Sequence, residues 1–293
     1  MYRARLGIRP GAWLGIAALL VAAGAALPAM ADESPNGGWG LLNLPVGVTG
    51  ISRDVYSIHM MAFWVCVVIG ILVFGVMIWS IIFHRRSRGA VADVTLVHNT
   101  KVEIIWTTVP VLILIGMAIP AAHGIVLIGD DANPQLEIKV TGFQWGWQYT
   151  YLGKDVSFVS KLDEKSMAAS ELDSGISPYS VPHYLRNVDH PLVVPVGTKI
   201  RLLIGAVDVI HSWWVPDFGI KKDAIPGYIN QSWFEVDADK PGVYRGQCAE
   251  LCGRGHGYMP IVVDAVSKAD FQAWLKREAA AEKAAAAANA SSS

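Results

Sequence analysis

Two thiols, an imidazole and a thioether lie within one short segment near the C-terminal end of the chain. The segment contains Cys248, Cys252, His256 and Met259, and His211 lies upstream of it. Soft sulfur ligands combined with imidazole select copper, and a Met beside Cys and His marks an electron-transfer site rather than a hydrolytic one. The second thiolate would allow both sulfurs to bridge two copper ions, with one imidazole on each. The pattern therefore predicts a dinuclear copper site.

Two other interpretations of the cysteine pair remain open. Exported proteins often form disulfides, and Cys with His also binds structural zinc. Zinc has no use for Met259, however, and a short disulfide loop does not require His256 at a fixed step. Gly253, Gly255 and Gly257 allow the backbone to fold tightly enough for the side chains to converge. The spacing favours copper over both alternatives.

The composition indicates membrane segments. Of 293 residues, 53% are hydrophobic and only 17% are charged, which is too apolar for an ordinary soluble domain of this length. Residues 60–83 and 104–128 contain no charged side chain. At about 1.5 Å per residue, each run exceeds the roughly 30 Å hydrocarbon core of a bilayer. Pro110 and Pro120 are tolerated where neighbouring helices satisfy the backbone, which suggests packing against another membrane subunit.

The flanking charges predict the orientation. Residues 1–31 have a basic start, an apolar stretch and a small-residue end, typical of a secretory signal peptide; an uncleaved first helix is the alternative. The loop 84–101 carries four basic residues against one acid, so the positive-inside rule places it in the cytoplasm. Residues 32–57 form an exported N-terminal segment. We expect a two-pass protein of a bacterial inner membrane, with its N-terminus and metal site on the periplasmic side.

The exported segment, 130–275, has the pattern of β structure. Residues 136–141 and 199–204 alternate or run apolar over strand length, and Pro and Gly separate such segments. Short strands at these intervals predict a sandwich or barrel. Residues 153–187 are interpreted as an irregular insertion with a short helix. Residues 276–293 form an Ala-rich tail, whose first part is expected to continue a helix. The last few residues have no apolar side chains large enough to pack against a core. The net charge of −1 gives no reason to expect a nucleic-acid partner.

Together these features resemble subunit II of haem-copper cytochrome c oxidases of the bacterial and mitochondrial type. Five motifs carry the resemblance, which extends to about residue 275: His211-Ser212-Trp213, Cys-x-Glu-x-Cys-x3-His-x2-Met at 248–259, Lys-Lys-Asp-Ala-Ile-Pro-Gly at 221–227, Gln-Trp-Gly-Trp at 144–147, and Val-Glu-Ile-Ile-Trp at 102–106. The resemblance implies a membrane-anchored α+β protein, with a two-helix transmembrane hairpin at 58–129 followed by an all-β cupredoxin-like barrel. The chain departs from the family at Gly146, Thr150 and Tyr228, where an aromatic, an acid and an arginine are common.

The resemblance also implies a metal-ligand set. Two bridging thiolates and two terminal imidazoles would hold the copper A pair: Cys248, Cys252, His211 and His256. Met259 would be a weak ligand of one copper, and the backbone carbonyl of Glu250 a weak ligand of the other. The side chain of Glu250 would hold a magnesium ion at the boundary with subunit I.

Four further residues receive roles only through the resemblance. Trp145 would be the point where an electron enters from cytochrome c, and Asp189 and Asp208 would help to form the docking surface. Glu103 would lie at the mouth of a proton path into subunit I. Without the resemblance, Trp145 would be a packing aromatic, the two Asp would be solvated surface acids, and Glu103 would be an acid stabilising a helix start.

The implied function is that of the electron-input subunit of a proton-translocating cytochrome c oxidase. It would accept electrons from reduced cytochrome c and pass them to haem in subunit I, where oxygen is reduced to water and protons are pumped. Subunit III is a further expected partner. Three alternatives remain: a quinol oxidase subunit, which lacks the two thiols; nitrous oxide reductase, which needs an additional large domain; and a copper chaperone, which needs neither Trp145 nor the hairpin.

Overall fold

The computed structural model describes residues 43–91, 95 and 98–291. The predicted signal peptide, 1–31, lies outside the described residues. The described residues form a helical hairpin, a domain of two β-sheets and a long C-terminal helix.

Among the described residues, two helices are long and apolar enough to cross a membrane: α1 (Gly50–Phe83) and α2 (Thr100–Gly129). Helix α1 begins before the apolar run predicted at 60–83, because the side chains of Thr49 and Ser52 form a reciprocal cap at its start. Its 34 residues extend about 51 Å, more than a bilayer core requires. Its first turns therefore lie outside the hydrocarbon and can contact the β domain.

The β domain contains ten strands in two five-stranded sheets, with orders β3-β2-β1-β5-β8 and β4-β10-β9-β6-β7. The elements that follow the hairpin are β1 (Leu136–Phe143), β2 (Gly146–Tyr151), β3 (Val156–Ser160), α3 (Glu164–Ser170), β4 (Leu192–Pro195), β5 (Ile200–Ala206), β6 (His211–Val215), β7 (Ile220–Ala224), β8 (Asn230–Phe234), β9 (Gly242–Cys248), β10 (Pro260–Val266) and α4 (Lys268–Ser291). Of the sandwich or barrel predicted from the sequence, the structure has two packed sheets. The short helix expected in the insertion 153–187 is α3, but the prediction of an irregular segment was wrong at its start, where β3 pairs with β2.

Alternating burial along the central strands forms the core between the sheets. Strand β1 runs parallel to β5 with Ile138 opposite Leu202, and every second residue is buried along β1 and from Ile200 to Ile204 in β5. A fully buried aliphatic side chain of this kind contributes about 1.5–3 kcal/mol relative to an exposed one. The two strands thus give the domain a rigid centre on which the loops at one end are built.

The start of α1 is fixed to the β domain by backbone hydrogen bonds. The N–H of Val48 donates to the carbonyl of Asp217 at 2.9 Å, and the N–H of Asp237 donates to the carbonyl of Val48 at 2.9 Å. The hydroxyl of Thr49 donates to the carbonyl of Phe218 at 2.9 Å. Arg53 forms an ion pair with Asp237. The hairpin therefore holds the β domain at a defined position.

The end of α2 is fixed to the same domain. The indole N–H of Trp233 in β8 donates to the carbonyl of Leu127 at 3.1 Å. Lys199 lies over the Trp233 ring, 4.4 Å from its centroid, and its ammonium is 3.7 Å from Asp130.

The C-terminal helix α4 continues across the domain boundary predicted at residue 275. Its first turns belong to the β domain, because Phe271 and Leu275 are buried against the core.

Candidate metal centre

Neighbouring strands bring the predicted ligands to one end of the second sheet. His211 begins β6, Cys248 ends β9, and the two strands pair with Trp213 opposite Cys248. The loop that follows β9 returns to its starting point, because the N–H of Cys248 donates to the carbonyl of Met259 at 3.1 Å. The ends of one short loop are therefore joined directly beside the ligand on β6.

The predicted ligand atoms converge. The Sγ atoms of Cys248 and Cys252 are 3.8 Å apart, and the Nδ1 atom of His211 is 4.0 Å from the Sγ of Cys248. The Nδ1 atom of His256 is 3.5 Å from the Sγ of Cys252. A disulfide requires about 2.05 Å between the sulfurs, so the pair is present as two free cysteines. Each sulfur thus has one imidazole nitrogen beside it.

Burial excludes solvent from most of this cluster. His211 is 0% exposed, Cys248 3%, Cys252 2% and Met259 1%. The backbone carbonyl of Glu250 accepts from the Cys248 thiol at 3.3 Å, whereas the residue as a whole is exposed. The carbonyl of Glu250 is therefore on the sulfur side of the loop, although the residue itself is exposed.

The two thiols differ in acidity. Burial raises the pKa of Cys248, but hydrogen bonds, first that from His211, outweigh it and lower the pKa to about 7. Burial and the neighbouring charge of Cys248 raise the pKa of Cys252 to about 12. Burial disfavours the imidazolium form of His211, but its contacts with Cys248 and Asp208 outweigh this and raise its pKa. Metal binding would displace the proton that the thiol pair retains, since thiolates are the metal-binding form.

The donor set fits copper. His211, Cys248 and Cys252 each offer a ligand atom, and these atoms lie within 4.8 Å of one another. His256 stands beside the second sulfur, and Met259 is a buried thioether at the closing point of the loop. Thiolate, thioether and imidazole together are the ligands that copper prefers.

Trp145 contacts the backbone of a predicted ligand. Its indole N–H donates to the carbonyl of Cys252 at 3.0 Å, and the side-chain amide of Gln144 donates to the same oxygen at 2.9 Å. The ring is half-buried and also lines an open groove of about 510 Å³. The ring lies so close to Gly255 that a methyl group there would be 2.4 Å from the Cδ2 atom of Trp145. The sequence did not reveal this contact, because it joins segments more than a hundred residues apart.

The two predicted docking acids have different partners. Asp208 Oδ1 is 2.9 Å from the Nε2 of His211, and its Oδ2 accepts from the N–H of Gln144 at 2.7 Å. Asp189 Oδ1 accepts from the N–H groups of Lys161 at 2.8 Å and His190 at 2.7 Å. The side chains are 31% and 37% exposed, respectively. Asp189 therefore fixes a loop, whereas Asp208 contacts a predicted ligand.

Glu103 is remote from this cluster. It lies in the first turn of α2, and its Oε1 accepts from the N–H of Asn99 at 3.2 Å, while Asn99 caps the helix. The opposite end of α2 is the end that contacts the β domain through Leu127. An acid at this position stabilises the helix start, and its role in a proton path stays a prediction.

A two-sheet domain of cupredoxin-like fold, carried on two apolar helices and bearing a buried thiol–imidazole cluster, defines a membrane-anchored protein with a site suited to copper. The family model for the periplasmic domain of cytochrome c oxidase subunit II matches residues 136–266, and the model for its transmembrane domain matches 37–123. The chain belongs to the cytochrome c oxidase subunit II family. It is a two-pass membrane protein that associates with other subunits of an oxidase.

The chain is similar to several individual proteins. The chain is 37% identical to the probable cytochrome c oxidase subunit 2 of Rickettsia bellii over 227 residues, which covers 77% of this chain and 79% of the relative. It is 40% identical to cytochrome c oxidase subunit 2 of Cereibacter sphaeroides over 207 residues, 67% of this chain and 66% of the relative. Among solved structures, the chain is similar to the periplasmic domain of subunit II of cytochrome oxidase of Bradyrhizobium japonicum. The two are 37% identical in sequence, the match covers 50% of this chain and 94% of the other, and the TM-score is 0.42.

Proposed function

We propose that this chain is the electron-input subunit of a proton-translocating cytochrome c oxidase. It accepts electrons from reduced cytochrome c at a dinuclear copper A centre, and haem in subunit I receives them for the reduction of oxygen to water. The observation that carries the proposal is the hydrogen bond from the Trp145 indole to the carbonyl of Cys252. That bond joins a ring open to a surface groove directly to a residue of the buried thiol–imidazole cluster.

Five side chains and one carbonyl would hold the copper pair. Cys248, Cys252, His211 and His256 would hold the copper ions, and Met259 and the Glu250 carbonyl would be weak ligands. Bound copper would supply one-electron storage. The chain's contribution is to hold these ligands still, because paired strands and the closed loop fix them, and fixed ligands keep the cost of reorganisation small.

The same geometry supports a periplasmic location of the site. The start of α1 and the end of α2 both contact the β domain, so the loop between the helices lies at the other side of the membrane. That loop is rich in Arg and Lys, which favours the cytoplasm. The expected location is a bacterial inner membrane, reached through the signal peptide at residues 1–31.

Partner contacts complete the proposal. The exposed carboxylate of Glu250 would share a magnesium ion with subunit I, and Glu103 would face the mouth of the proton path. Asp189 and Asp208 would present negative charge to a basic cytochrome c, since each is partly exposed. Subunit III would complete the membrane contacts.

Stopped-flow mixing of reduced cytochrome c with the copper-loaded full chain tests electron input through Trp145. Trp145→Ala should slow cytochrome c oxidation strongly but change the affinity for cytochrome c little, because one aromatic contact is worth only about 0.5–1.5 kcal/mol beyond its area burial. Tyr179→Ala is the control, since Tyr179 is 93% exposed. Equal losses of rate and affinity would make Trp145 a docking residue, and a wild-type chain that takes no electrons would contradict the proposed function.

A further inference from the structure

The ring of His211 is held at both nitrogens. Its Nδ1 faces the Sγ of Cys248 at 4.0 Å, and its Nε2 faces Oδ1 of Asp208 at 2.9 Å. Backbone closes one side of the ring, since a methyl group on Gly142 would lie 2.9 Å from the Cδ2 atom of His211. With Nε2 donating to a carboxylate, the neutral ring is fixed in the tautomer that leaves Nδ1 free for a metal.

Asp208 is itself held in place. Its Oδ2 accepts from the N–H of Gln144 at 2.7 Å, and its Oδ1 also accepts from the N–H of Val209 at 2.7 Å. The preceding residue, Val207, donates its N–H to the carbonyl of Gly142 at 3.1 Å, which ties the loop to β1. The carboxylate is therefore a fixed acceptor rather than a mobile surface charge.

The same carboxylate reaches the segment that carries Trp145. Gln144, whose N–H binds Oδ2 of Asp208, precedes Trp145 directly, and both residues donate side-chain hydrogen bonds to the carbonyl of Cys252. One acid thus links His211, which lies beside the Cys248 sulfur, with the Gln144–Trp145 segment, which contacts the Cys252 carbonyl. An ordinary docking charge would need neither contact.

We propose that Asp208 is a positioning residue of the copper centre, which holds the His211 ring in its ligand orientation and fixes the Gln144–Trp145 segment against Cys252. This inference rests on the proposed function and gives Asp208 a task separate from charge steering. Carboxylate partners of metal-binding His residues typically contribute about 10–100-fold to metal affinity or activity. The effect should be visible in the metal centre itself, without any cytochrome c.

The test is a comparison of copper affinity and paramagnetic resonance spectra between full-length variants extracted from the membrane. Asp208→Ala should bind copper about 10–100-fold more weakly in competition with a chelator, and its copper hyperfine pattern should change. Asp208→Asn keeps one acceptor oxygen, so its copper affinity should fall less than that of Asp208→Ala. Asp189→Ala is the matched control, because that carboxylate is also partly exposed and also accepts backbone N–H bonds, but from Lys161 and His190. It should bind copper as the wild type does.

The outcomes separate this inference from the proposed function. Wild-type copper affinity and an unchanged spectrum in Asp208→Ala would overturn the positioning role, even if cytochrome c association became slower. If Asp208→Ala does not fold, the copper affinity of Asp208→Asn is compared with that of Asp189→Asn. Equal affinities of these two variants would again overturn the positioning role of Asp208. A wild-type chain that holds no copper pair would contradict the proposed function instead.

Discussion

A single methyl group at position 255 should separate electron input from copper binding. A Cβ atom on Gly255 would lie 2.4 Å from Cδ2, 2.7 Å from Cγ and 2.8 Å from Cε3 of Trp145. Carbon atoms pack at about 3.5–4.0 Å, so the indole ring must withdraw by about 1 Å. The backbone of Gly255 has φ −90°, which any residue adopts, so the cost of Gly255→Ala is steric. Overpacking of this kind costs about 1–3 kcal/mol of unfolding free energy.

The expected functional result is slower oxidation of reduced cytochrome c with an intact copper centre. A displacement of about 1 Å can lower a rate by up to about 100-fold, because the reacting groups lose their alignment. Gly257→Ala is the matched control in the same loop, since a methyl group there meets nothing within 4 Å. Stopped-flow rates and copper spectra of both variants provide the assay. Equal rates in Gly255→Ala and Gly257→Ala would refute the role of the Trp145 contact.

Two further predictions concern the surface and the anchoring of α1. Asp189→Asn should slow cytochrome c association most at low salt, because exposed charges are screened over about 8 Å at physiological ionic strength; a mutant-to-wild-type ratio that stays flat across a salt series would remove the docking role. Gly219→Ala should lower the midpoint of thermal unfolding more than Gly227→Ala. Both glycines have a positive φ, so both substitutions strain the backbone, but only at Gly219 would the added methyl group lie 2.8 Å from the Cα atom of Ser52 in α1. Equal shifts would show that this contact does not hold α1.

The ligand cluster was predictable because its spacing is local. Cys248, Cys252, His256 and Met259 lie in one Gly-rich loop, and the chemistry of their side chains predicts copper. The structure shows the sulfur and imidazole atoms of these residues close together, and the pairing of β6 with β9 brings His211 beside them. The two-sheet fold and both membrane helices were predictable from hydrophobic periodicity and length.

The parts that escaped prediction depend on long-range contacts or on polar helix ends. In the sequence, an acid three residues before His211 is only a weak indication of a contact between the two side chains. The folded loop shows that the carboxylate of Asp208 faces the imidazole. The contact between Trp145 and Cys252 joins loops that follow strands of different sheets, which no local pattern encodes. Helix α1 begins at Gly50 rather than near residue 60, because a cap and the β domain stabilise its polar first turns.

The copper content of the full chain, measured together with its paramagnetic resonance spectrum, decides whether the thiol–imidazole cluster is a dinuclear copper site. We expect two coppers per chain and an unpaired electron shared by both nuclei, because two buried thiols lie 3.8 Å apart with one imidazole beside each. Cys252→Ser should abolish the shared signal while the β domain stays folded. One copper per chain, or zinc at the same site, would contradict the account.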